Sequence, residues 1–261
     1  MRYQGHGNRW GLLLLGVVLA TVGCAQAPAK TSQVVVALFD VSGSTRGQRQ
    51  QYLRDFRRIV GCLAKDAESR ARPELRLLAD RITENPLAQS EFKINVAIKA
   101  RDPRRDNPIA YKRLLDQTIG GILRQAESIL GRLESGVFGT RIMDALLLAQ
   151  KGIASYKRES NVLVVFSDMI EQSGRYDFSK IDLSARGIDT IIARERRDGR
   201  IPDLKGVRVY VIGAGAAQTG GLPPDRIMAI ERFWLRYFEQ AGAEMRKERY
   251  GAALIRFEDC E

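Results

Sequence analysis

The sequence predicts an α/β fold, a doubly wound and mainly parallel sheet flanked by helices. Two observations carry this expectation. Short apolar runs rich in β-branched residues recur along the chain, and stretches with apolar residues at helical spacing separate them. The first run, Val34 to Phe39 (VVVALF), is continuous rather than alternating, as a central strand covered on both faces requires.

The elements follow in order. After that strand, Leu53, Phe56, Val60 and Leu63 recur at spacings of three, four and three and give one apolar helical face. Phe92 to Ile98 (FKINVAI) alternates with period two and reads as a strand, Ile109 to Leu133 as a long helix, and Met143 to Tyr156 as another. Asn161 to Phe166 (NVLVVF) and Val207 to Ile212 (VRVYVI) are two more strands. Pro223-Pro224-Asp225 opens a helix in which Ile227, Ile230, Trp234 and Tyr237 share a face, proline being tolerated in the first turn. Ala253 to Phe257 is expected as a final edge strand. The charged segments Arg101 to Asp106 and Arg194 to Arg200 are expected as solvated loops between elements.

The chain has 261 residues, 44% of them hydrophobic, with a formal charge of +11, which is ordinary globular composition with a basic balance. Its start is organised differently from the rest. Arg2 and Arg9 stand without an acid before the apolar run Trp10 to Ala20, and Thr21-Val22-Gly23-Cys24 follows, a secretory layout too short for a spanning helix. Gly23-Cys24 resembles the bacterial lipobox, in which the cysteine is lipidated and becomes the new N-terminus; Thr21 stands where that family usually has Leu. The resemblance implies a signal peptide over 1–23, a lipid-anchored tether over 24–33 and a folded domain over 34–258. The tether's composition (AQAPAKTSQ) gives a reach of about 30 Å. Ala25 after the cysteine implies sorting to the periplasmic side of the outer membrane. Without Arg2 and Arg9 the 42 basic residues fall to 40 against 31 acidic, so the mature chain keeps +9 and favours anionic neighbours. Cys62 and Cys260 remain, and in an oxidising compartment they either form a disulfide or leave Cys62 as a small buried thiol.

In such a sheet, ligands bind beyond the carboxyl ends of the strands. Three places there carry short oxygen-bearing side chains: Asp40-Val41-Ser42-Gly43-Ser44 after the first strand, Gly139-Thr140 before the helix at Met143, and Ser167-Asp168 after the strand at Asn161. Compact hard-oxygen donors of this kind suit Mg²⁺, with Mn²⁺ or Ca²⁺ as alternatives, and Gly43 is expected to let the first loop turn tightly. Placed in this order, Asp-x-Ser-x-Ser, Gly-Thr and a strand-ending Asp resemble the metal-ion-dependent adhesion site of von Willebrand factor A domains. That resemblance covers about Gln33 to Phe257 and implies metal ligation by Asp40, Ser42, Ser44, Thr140 and Asp168. It further implies a non-catalytic domain whose metal receives a Glu or Asp from a protein partner. Where the family usually has a further edge strand, between Phe92 and Gly139, this sequence reads as a long helix.

Other readings compete. Asp40, Ser44 and Thr140 are good helix caps and could serve only that purpose. FDVSGST resembles the nucleophile loop of haloacid-dehalogenase-type phosphatases with Asp40 as nucleophile, but Ser42 stands where the general acid belongs. The single histidine, His6, lies in the signal segment, which leaves no imidazole for a serine hydrolase or a zinc site. Gly213-Ala214-Gly215 fails a full dinucleotide fingerprint at Gln218. Nucleic acid is not expected as a partner, because export and the lack of an aromatic-basic motif oppose what the charge favours.

Overall fold

The computed structural model describes residues 1, 31–69, 73–82, 85–88, 91–131, 139–156, 158–216 and 221–260. The signal segment, Cys24 and most of the tether lie outside the described residues; Gln33, expected as the tether's end, already begins the first strand. Six strands form one sheet: β1 (Gln33–Asp40), β2 (Glu74–Ile82), β3 (Ile94–Lys99), β4 (Ser160–Phe166), β5 (Val207–Ile212) and β6 (Glu244–Gly251). Five helices accompany them: α1 (Arg49–Glu68), α2 (Pro108–Gly131), α3 (Ile142–Tyr156), α4 (Ala185–Arg197) and α5 (Pro224–Gln240).

The strand order is β3-β2-β1-β4-β5-β6. All neighbours are parallel except β2 and β3. Every residue of β1 is buried because the sheet is covered twice. Val35, Ala37 and Phe39 pack with Phe56, Ile59 and Val60 of α1 and with Ile122 and Ala126 of α2. Val34, Val36 and Leu38 face the other way, into a core with Leu146 of α3, Ile188 of α4 and Trp234 of α5. This is the doubly wound α/β class read from the apolar runs.

Chain order places β2 on one side of β1 and β4 on the other. The carboxyl ends of β1 and β4 therefore flank the point where the winding reverses, the crevice in which open α/β sheets bind ligands. Among the described residues, no helix is long and apolar enough to cross a membrane.

The structure corrects three readings and adds β2. Ala253 to Phe257 is not a strand; the edge strand is β6, earlier in the chain. Backbone groups of the later segment are held instead by α1 side chains: Leu254 N–H donates to Asp55 Oδ2 at 3.1 Å and Arg58 Nη1 donates to Leu254 O at 2.7 Å. Arg194 to Arg197, expected in a loop, form the last turn of α4, where cations meet the negative end of the helix dipole. β2 was hidden by its charges (ELRLLADRI), yet Leu75, Leu77 and Ala79 face the α1 and α2 side at period two. Gly43 is outside the left-handed region, and a Cβ there would meet nothing within 4 Å, so the first loop does not require glycine.

Candidate metal centre

All five oxygen-bearing residues singled out in the sequence lie at the carboxyl end of the sheet, Asp40 ending a strand and the other four on the segments that follow or face it. Asp40 is the last residue of β1 and is fully buried. Its Oδ1 accepts the Ser42 N–H at 2.9 Å, which curls the chain back at once, and the Ser42 and Ser44 hydroxyls then lie 3.1 Å apart. Thr45 fixes the curl from below, donating its hydroxyl to the carbonyls of Asp40 and Ser42 at 2.9 and 3.1 Å. Arg49 Nη2 reaches the Val41 carbonyl at 2.5 Å, and Nη1 reaches Leu130 O at 3.0 Å, tying this loop to the end of α2.

Asp168 follows β4 after Ser167. The Ser167 hydroxyl donates to Asp40 Oδ2 at 2.7 Å and accepts the Met169 N–H at 2.9 Å, linking the first and third loops directly. Met169 is buried at φ +64°, a backbone region costly for a residue with a side chain, and Trp234 Nε1 holds its carbonyl at 2.7 Å. Thr140 is carried against the same loop: its N–H donates to Gln172 O at 2.7 Å and its carbonyl accepts the Gln172 N–H at 3.0 Å. Gly139 is needed here, since a Cβ would sit 2.5 Å from Gln172 O.

The helix-cap explanation for these residues does not hold. The residue before α1 is Gln48, without a side-chain cap, and Asp40 spends its oxygens on Ser42 and Ser167. The first amides of α3, Ile142 and Met143, donate to Glu171 Oε2 at 2.7 and 3.1 Å, leaving Thr140 out of the cap. Ser167 and Glu171 are contributors that sequence reasoning gave no role. Both flank Asp168 closely, but only the folded chain shows which groups they reach.

Electrostatically the centre is two buried carboxylates side by side. Burial raises the Asp40 carboxyl above its usual range, against the hydrogen bonds from Ser167 and Ser42 and the Arg49 charge. Burial and repulsion from Asp40 push Asp168 up to about 7, with the nearby Ser44 hydroxyl acting in the opposite sense. Asp168 Oδ1 accepts the Ile170 N–H at 3.1 Å, whereas its buried Oδ2 accepts no hydrogen bond among the described residues. A divalent cation meets both needs, supplying a partner for Oδ2 and favouring the ionised form of both acids. Among the described residues no group of three or more His, Cys, Asp or Glu gathers at one point. The donor set here is two carboxylates with three hydroxyls, which fits a hard ion that retains waters. Beside Asp168 opens a cleft of about 70 Å³ lined by Ile170, Ala214, Leu222, Ile227 and Tyr250.

At the position where the phosphatase reading needs an acid stands Ser42, whose hydroxyl lies 3.1 Å from that of Ser44. Gly213 sits at φ +111° against Tyr52, which occupies the space a side chain would take, so this glycine serves packing at the strand end. Cys62 is half-buried and disulfide-bonded, not a free thiol; the Cys260 side chain lies outside the described ones.

No family model and no curated protein matches the chain. Among solved structures it is similar to the type V pili tip protein Mfa5 from Porphyromonas gingivalis, with 10% identity and a TM-score of 0.39 over 74% of this chain and 29% of that one. It is also similar to the pilus adhesin SpaC from Lactobacillus rhamnosus GG, with 11% identity and a TM-score of 0.40 over 83% and 30% of the two chains. For the manganese-loaded TRAP protein of Plasmodium vivax the values are 13% identity, a TM-score of 0.38, and 85% and 68% coverage. The chain thus spans about three tenths of the length of the two bacterial pilus proteins.

Proposed function

We propose that this chain is a non-catalytic, divalent-metal-dependent protein-binding domain of the von Willebrand factor A type, displayed on a lipid anchor in the cell envelope. The observation that carries it is Asp168 Oδ2, a buried carboxylate oxygen that among the described residues has no hydrogen-bond partner at ordinary geometry, set beside a second buried carboxylate and the Ser42, Ser44 and Thr140 hydroxyl-bearing loops. Asp40, Ser42, Ser44, Thr140 and Asp168 would hold Mg²⁺, or Mn²⁺ or Ca²⁺. When bound, the ion supplies local positive charge able to accept a Glu or Asp side chain from a partner protein.

The chain's own residues set what such a partner meets. Ser167 and Thr45 fix the loops before binding, and the cleft beside Asp168 adds an apolar wall to a charged centre. The fold also favours display. A tether ending at Gln33 leaves from the amino end of β1, while the metal loops lie at its carboxyl end, about 26 Å away for eight residues at 3.3 Å each. An anchor at Cys24 would therefore hold the binding end away from the membrane. Cys260 is the partner we assign to Cys62, since α1 packs against the closing 3-10 turn Glu258–Cys260.

Calorimetric titration with Mg²⁺, Mn²⁺ and Ca²⁺, beside the Asp40→Ala form, tests the site. Saturable binding lost in the variant supports the proposal; no binding by the wild type, or equal binding by the variant, overturns it. Replacing Cys24 by Ser tests the anchor, because membrane association is expected to be lost.

A further inference from the structure

Thr140 poses a local problem. Thr140 stands two residues before α3, close enough for its hydroxyl to reach toward the free amides of the first turn, and a hydroxyl so engaged is a poor donor to an ion. Here the Thr140 hydroxyl makes no hydrogen bond to any described residue. The amides of Ile142 and Met143 are taken by Glu171 Oε2, a carboxylate only 2% exposed that reaches across from the Asp168 loop. The neighbouring residue, Gln172, pairs with Thr140 through both backbone groups, and Gly139 allows that close approach by lacking a Cβ. Residues 171 and 172 thus grip the chain at Thr140 and just after it while leaving its hydroxyl without a partner among the described residues.

We infer that Glu171 is a positioning residue of the metal site. By capping α3 in place of Thr140, it releases the Thr140 hydroxyl for the ion and fixes the distance between the second and third loops. This rests on the metal-site reading above. Glu171 touches neither metal nor partner; it acts through Thr140. Because Mg²⁺ demands near-ideal octahedral geometry and Ca²⁺ tolerates a looser shell, loosening this grip weakens Mg²⁺ more than Ca²⁺. Partners acting one shell out from a ligand commonly alter metal affinity by about 10–100-fold.

The test uses the full chain and titrates Mg²⁺ and Ca²⁺ into wild type, Glu171→Ala, Glu171→Asp, Glu171→Gln and Thr140→Ala. Glu171→Gln keeps a carbonyl oxygen for the two amides and is expected to retain affinity. Glu171→Ala, and Glu171→Asp with its carboxylate drawn back by one methylene, are expected to lose about tenfold or more in Mg²⁺ affinity and to lower the Mg²⁺-to-Ca²⁺ ratio. Glu171→Ala added to Thr140→Ala is expected to cost nothing further, since coupled residues are not additive. Should Glu171→Ala fail to fold, Glu171→Asp decides alone. Wild-type Mg²⁺ affinity in the folded Ala or Asp forms, or full additivity with Thr140→Ala, overturns the role of Glu171 only. Absence of any binding by the wild type overturns the metal reading and this inference together.

Discussion

The two ends of the sheet bury carboxylates in opposite ways. At the amino end, Asp259 is met by Arg208 Nη2 at 2.5 Å, Gln33 Nε2 at 2.9 Å and the Tyr210 hydroxyl at 3.1 Å. Arg208 also donates to Ser160, so the starts of β1, β4 and β5 are joined through one charge whose partners are all present. At the carboxyl end, Asp40 and Asp168 are as deeply buried, yet among the described residues their donors are neutral, the Arg49 guanidinium is directed to carbonyls, and one Asp168 oxygen has no hydrogen bond. A buried acid with its cation supplied by the chain is a latch; a buried pair without one is, on the function proposed above, a site for a cation from outside.

Substitution sharpens that contrast. Asp259→Ala strands Arg208 and is expected to cost about 2–4 kcal/mol in urea unfolding, below the full cost of a buried pair because 30% of the Arg208 side chain remains exposed. Asp40→Ala or Asp168→Asn is expected to behave oppositely, leaving the chelated protein no less stable because mutual repulsion is relieved. What those variants lose is metal-linked stabilisation: with free Mg²⁺ at about 100 times its dissociation constant, the wild type gains about 2.7 kcal/mol and the variants gain none, as thermal melts with and without chelator would show. An Asp259→Ala protein as stable as wild type would break the comparison.

Acidity separates the ends further. In the folded chain Asp168 is pushed up to about 7 from 3.8, and Glu171, chiefly by burial, up to about 7 from 4.5. Between those values the folded state holds protons that the unfolded chain has released. In chelator, stability is therefore greatest below the unfolded values and falls as pH rises toward 7, by up to about 1.4 kcal/mol per pH unit for each proton. Saturating Mg²⁺ is expected to flatten the slope, because the cation favours the ionised acids, and Asp168→Asn to reduce it. Melting curves across this range decide the point; a slope of the other sign would refute it. The smallest effect belongs to Tyr210→Phe, about 1 kcal/mol for one hydrogen bond to Asp259, with metal binding unchanged.

Much of the fold was legible where burial was simple. β1, β4 and β5 are continuous apolar runs, and α1, α3 and α5 show an apolar face, because aliphatic and aromatic residues make up most of what each buries, even though α1 also buries Asp55 and Asp66 and α3 buries Asp144. The elements that escaped reading bury charge or none at all. α4 carries Ile188, Ile191 and Ile192 on one face, but the next position inward is Glu195, tolerated because Arg175, Arg200 and Tyr176 satisfy it. β6 is an edge strand in which half the residues are exposed and charged, so it has no apolar pattern to read. β2 sits beside β1 despite its four charged residues, with Arg76 turned outward over the Tyr156 ring at 4.5 Å.

The sequence by itself determined the layered class and the three oxygen-rich strand ends, since both follow from short-range pattern: which residues are apolar, and what stands directly after them. Only the tertiary structure decided how those ends are completed. Ser167 reaches Asp40 from 127 positions away, and Glu171 reaches the amides of α3 across 29 and 28. The physical reason is that a buried polar group must find its partner wherever the fold brings one, and that partner carries no periodic signal along the chain.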